Sequence, residues 1–181
     1  ETARTRYPHE RDYVRAHWLL GWAALVQGSY PESQSRLDEA LRRCRAINMV
    51  DHEPAILLAQ ARLARAVGAG LVPAPSPALP ESGRPQEPPL QRSLDYAQQA
   101  LTVAQRSGFV LDLADIHNHL ALLALDASDT AAARSAARAH AQSARDYAYC
   151  DGPPFAYHTA LTEAERILAL LNESGRGETG G

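Results

Sequence analysis

The chain predicts an all-α protein, and three observations carry that prediction. Apolar residues recur three and four positions apart through seven separate segments, the spacing of one helix face. Gly and Pro clusters punctuate those segments at intervals of about twenty residues. Small residues fall where successive helices must touch, most clearly in the stretch from His17 to Ala46, HWLLGWAALVQGSYPESQSRLDEALRRCRA. That stretch is two amphipathic helices around a Gly-Ser-Tyr-Pro turn, a helical hairpin.

Residues 1–8 are polar, contain Pro8 and have no period, so they are a lead-in to an array spanning 9–172. The first helix is expected from about His9 to Gln27. It is apolar on two sides: His17, Leu20, Gly21 and Ala24 form one stripe, and Trp18, Trp22, Leu25 and Val26 a second. A helix of that kind is sandwiched or exposes an adhesive face. The second, from Pro31 to Asn48, opens on a proline, carries Glu32 at its positive end and Arg42, Arg43 and Arg45 at its negative end. A third runs from Pro54 to Val67, with Asp51 as N-cap and Gly68 or Gly70 as stop.

Residues 69–89 then hold seven of the twelve prolines, which excludes helix and central strand. Three readings fit this insertion: a spacer, a polyproline ligand, or a lid over the protein's own surface. A fourth helix follows from Leu90 to Ser107, with Ala97, Leu101 and Ala104 on one face and Gly108 as a left-handed cap. The fifth spans Leu111 to Ala127, and the sixth, rich in alanine, Thr130 to Tyr149. The last runs from Phe155 to Asn172 and caps the array, with Leu161, Ala164, Leu168 and Leu171 in one stripe. Residues 173–181 are a flexible tail.

The His17–Ala46 hairpin resembles the tetratricopeptide repeat (TPR). Leu20 and Gly21 take its Leu-Gly pair, Gly28, Ser29 and Tyr30 its turn, Leu37 its large apolar position and Ala40 its late alanine. Three departures stand out: His17, Ala24 and Ser33 replace an aromatic, a tyrosine and an alanine. Leu120, Ala121, Ala133 and Ala137 repeat the pattern, with His140 at the late-alanine position. The Asp151-Gly152-Pro153-Pro154-Phe155 start of the last helix looks like the end of TPR sensor arms on bacterial signalling ATPases.

The resemblance implies a right-handed superhelix of about three hairpins plus a capping helix. It also implies that first helices of the hairpins line a groove for a protein or peptide segment. Carried over, the groove residues are Arg15, Trp18, Trp22 and Leu25, then Glu53, Ile56, Gln60 and Leu63, then Asp115, Asn118, Leu122 and Leu125. This set lacks the Lys, Asn and Arg array of TPR domains that clamp chaperone tails, so an apolar or mixed ligand is expected. The alternative reading is a self-association module, a homo-oligomer.

Other functions lack a signature. There is no phosphate-binding glycine loop, nucleophile elbow or Cys/His dyad motif, so no enzyme activity or cofactor is expected. His117 and His119 lie two apart on different helix sides, and no His/Cys/Asp/Glu spacing suits a metal. All 18 basic residues are Arg, yet the net charge is −3 and the basic cluster sits at one helix end, so nucleic acid is not expected. The absence of Lys points to a GC-rich bacterial genome. No apolar run spans a membrane, and the chain reads as cytoplasmic. Cys44 and Cys150 read as reduced packing residues.

Overall fold

The computed structural model describes residues 9–69 and 88–176, with the backbone alone at 174–176. Among them are seven helices and no strand: α1 (Glu10–Val26), α2 (Tyr30–Ala46), α3 (Glu53–Gly68), α4 (Pro89–Ser107), α5 (Val110–Ala127), α6 (Ala131–Tyr149) and α7 (His158–Arg176). The insertion at residues 70–87, the lead-in and the end of the tail lie outside the described residues. The chain forms two compact units, Glu1–Val103 and Ala104–Gly181.

Local chemistry explains several helix ends. The backbone N–H of His9 donates to Asp12 Oδ2 at 3.1 Å before α1, and Thr130 Oγ1 accepts from the Ala133 N–H before α6. Gly28 and Gly108 follow α1 and α4 with φ of 76° and 69°, the left-handed region that a side chain disfavours. Asp51 is not the cap of α3: His52 holds that position, and Asp51 instead pairs with Arg11 at 2.9 Å. The last helix begins at His158, later than expected, because the Phe155 N–H closes a turn on Gly152 O at 2.7 Å. It then runs to Arg176, four residues beyond Asn172, which moves the start of any tail.

In the first unit, α1 packs on α2 and α2 on α3. Gly21 is buried at the α1–α2 crossing, and the Ser33 hydroxyl donates to Gly21 O at 2.9 Å. The same clasp recurs between α3 and α4, where Ser93 Oγ donates to Ala61 O at 2.7 Å. Leu37 and Ala40 follow Ser33, and Ala97 and Ala100 follow Ser93, all fully buried. The second hairpin is therefore a structural repeat of the first.

Its register differs from the sequence expectation. The partners of the clasp are 12 residues apart in the first hairpin and 32 in the second. Ala61 is thus the counterpart of Gly21, and Ser93, not Ala97, is the counterpart of Ser33. The expected groove positions on α3 move two residues along, to Ala55, Leu58, Arg62 and Arg65.

In the second unit α5 packs on α6, and α7 lies on both. Alanines make this possible: Ala121, Ala137 and Ala141 are fully buried beside Ile167 and Leu171 of α7. A second cluster joins Ala114, Ala148 and Ala160, with Tyr147, Tyr157 and Leu161 against it.

Candidate functional site

The α1 half of the expected groove forms a coherent surface. Trp18 and Trp22 are half-buried and, with Leu25, pack against Leu37, Ala59 and Leu63. They are neither fully exposed nor part of the deep core. Large half-buried aromatic side chains of this kind are suited to a rigid contact.

Successive polar contacts run along the seam between α1 and α3. Arg11 pairs with Asp51. Arg15 Nε donates to His52 Nε2 at 3.3 Å. Because a guanidinium only donates, His52 carries its proton on Nδ1, which faces Asp51 Oδ2 at 3.1 Å but off the line of a hydrogen bond. The His52 ring meets Trp18 edge-on with centroids 5.9 Å apart. Further along, the Arg62 guanidinium lies over the Trp22 ring at 5.1 Å.

The α3 half of the expected set is placed differently. Ile56 is fully buried with Val14, Ala40, Cys44 and Met49, and Leu63 is buried in the tryptophan cluster. Gln60 is 2% exposed and donates to Asp38 Oδ1 at 2.8 Å, while Glu53 is held by Arg45 at 2.7 Å. These four side chains belong to the packing of the unit, not to an open groove. The α3-side residues that meet the tryptophans are His52, Ala59, Arg62 and, from beneath, the buried Leu63. A sequence signal existed: the small Ala59 leaves room for the indoles packed on it.

The third set is covered by α7. Asn118, 4% exposed, donates to Ala160 O at 2.8 Å, and Asp115 accepts from the Tyr157 hydroxyl at 3.0 Å. Leu122 and Leu125 pack against the cluster that holds Ile167 and Leu171. The capping helix thus occupies the face of α5 that the resemblance assigned to a ligand. Gln60 Oε1 and Asn118 Oδ1 are buried acceptors with no donor among the described residues. Flipping either amide gains nothing, because the partner of each nitrogen is itself an acceptor.

The arginine cluster at the end of α2 is neutralised in place. Arg42 and Arg43 both donate to Glu39, Arg43 also reaches Glu10 at 2.8 Å, and Arg45 reaches Glu53. The two guanidinium hydrogen bonds pull the Glu39 carboxyl down to about 2. A shallow polar cleft of about 460 Å³ lies beside it, lined by His17, Ser35, Arg36, Asp38, Glu39 and Arg42.

His117 and His140 meet edge to edge in the second unit, their rings tilted by 42°, their Nδ1 atoms 3.0 Å apart and their ring centroids 5.2 Å apart. The nitrogens therefore lie close to the line joining the rings. That is the geometry of an N–H···N hydrogen bond; two donors to one cation would instead converge at an angle. Burial, and then the His140 ring, push His117 down to about 4, and burial lowers His140 as well. His140 is the expected unusual histidine, yet His117 is the deeper and more perturbed of the pair. Among the described residues no group of three or more His, Cys, Asp or Glu could hold a metal ion.

Cys44 is a buried thiol donating to Met49 O at 3.0 Å, and burial pushes it up to about 11. Cys150, expected to be a packing residue, is exposed, and both thiols are free. No described helix is long and apolar enough to cross a membrane. Compared with family models, curated proteins and solved structures, the chain matches none of them.

Proposed function

We propose that the chain is a non-catalytic interaction module of TPR type, acting as scaffold or sensor arm of a larger bacterial regulator, and that it binds a protein or peptide segment along the α1–α3 seam. The observation that carries this reading is the pair of half-buried tryptophans. Trp18 and Trp22 lie one helical turn apart, flanked by Arg15 and His52 at one end and Arg62 at the other. Apolar or aromatic side chains of a ligand would stack on the indole edges. The arginines, already oriented by His52 and Trp22, would orient a backbone carbonyl or carboxylate of the ligand.

The chain has only these two tryptophans, so its emission reports on the seam alone. In acrylamide quenching, an open seam gives intermediate accessibility that falls when a peptide binds. A peptide library screened by tryptophan emission, followed by Trp22→Ala and Arg62→Ala on each hit, tests the site. Hits whose affinity ignores both substitutions would remove the seam from the proposal.

A further inference from the structure

The opposite side of α1 carries a second apolar surface, independent of the peptide-binding reading. Leu19, Leu20 and Val26 are 56%, 50% and 72% exposed, and Ala16 and Ala23 are exposed between them. From Ala16 to Gln27 the helix has no Asp, Glu, Lys or Arg. Nothing in the local packing requires this composition, since α2 and α3 contact α1 through Val14, Trp18, Gly21, Trp22 and Ala24. A contiguous exposed apolar patch, unlike single scattered apolar residues, marks an interaction surface.

The spacing selects the occupant. Ala16, Leu19, Ala23 and Val26 follow the 3-4-3 step of a two-heptad seam, with alanine at one core position and a larger residue at the other. Laid against a second copy in the antiparallel sense, with the two-fold axis at the level of Gly21, each large residue meets a small one. Leu19 faces Ala23 of the second copy, and Ala16 faces Val26. An isologous contact requires such self-complementarity, and alanine lets the two backbones approach closely. The same register brings Arg15 to the level of the second copy's C-cap Gln27, a cation beside the negative end of a helix dipole. No like charges are set opposite each other.

We propose that the outer face of α1 is a self-association surface on which a second copy of this chain docks antiparallel through Ala16, Leu19, Ala23 and Val26. Four side chains per copy, two of them alanine, fall short of the ~800 Å² per partner in a standard interface, so the pair is weak and forms in a concentration-dependent way.

Sedimentation equilibrium of the whole chain from micromolar to millimolar concentration tests this. The expected mass rises from 19.6 kDa toward twice that value, and Ala23→Glu holds it at the monomer value with unchanged helical circular dichroism. A wild-type mass that stays monomeric throughout overturns the proposal and leaves the face to a different helix. The register has its own check in a Cys150→Ser background: Leu19→Cys mixed with Ala23→Cys in equal amounts gives the mixed disulfide well in excess of the 1:2:1 ratio of random pairing. A 1:2:1 ratio, or an excess of either self-pair, overturns the antiparallel arrangement.

Discussion

Gly21 and Leu37 meet so closely that a Cβ built on the glycine would lie 2.8 Å from Leu37 Cδ2 and Cγ. Leu37 is fully buried, so it can give way only by displacing its own neighbours. The α1–α2 crossing is therefore set by the absence of one methyl group. Gly21→Ala gains up to ~1 kcal/mol of helix propensity and loses about 1–3 kcal/mol to overpacking. Urea unfolding is expected to show a net loss of about 1–2 kcal/mol. Leu37→Ala in the same chain should relieve the clash, so the double variant is less destabilised than the two losses added.

The serine clasps make a paired prediction. Ser33→Ala and Ser93→Ala each remove one buried hydroxyl-to-carbonyl bond and should each cost about 1 kcal/mol in chemical denaturation. The two sites lie in different hairpins, so the losses should add. Ser33→Cys, close in size but a weak donor, should recover little of the loss.

Acid should lower the stability of the chain in two separable pH windows. The buried His117 refuses a proton that the unfolded chain accepts, so stability is complete above the ordinary histidine value near 6.5 and falls as pH drops toward about 4. This group alone accounts for up to about 3 kcal/mol over that window. His117→Gln should flatten the slope there. Glu39 acts in a lower window: its contribution is complete above 4.5 and is lost as pH falls through about 2. Glu39→Gln should change only this second window. Stability measured against pH in the three chains checks both.

Thiol labelling separates the cysteines. In native buffer at neutral pH one thiol, Cys150, should react promptly with Ellman's reagent, and Cys44 should react only after unfolding. Two fast-reacting thiols in the folded chain would contradict the burial of Cys44 under Met49 and Ile56.

The helices were legible in the sequence because each carries its own period and its own stop. Gly28 and Gly108 could be placed from sequence since a left-handed cap has one favoured residue. Repeat register was legible only where the turn between the two helices is short. In α1–α2 the Leu20-Gly21 anchor and the following turn locate Gly21, Ser33 and Leu37 correctly, even though Leu20 itself is half-exposed. In α3–α4 the prolines replace that turn, and nothing in the composition says how many residues to subtract. The groove residues Ile56, Gln60 and Leu63 were misplaced for that reason. Asn118 and Leu122 failed for another: what covers α5 depends on where α7 lands, and a helix's own period says which face is apolar but not which neighbour takes it.

The recurrence of one clasp across intervals of 12 and 32 residues has a consequence for how such a chain can change. A hairpin whose two arms are locked at Ala61 and Ser93 does not use its connection as a ruler. Loop-closure cost grows only by about 0.6 kcal/mol for each doubling of length, so the span between α3 and α4 is a place where sequence can be added or removed without disturbing the arms. A chain assembled this way can carry a foreign segment, a recognition motif or an entire small domain at that point, as a socket carries a plug.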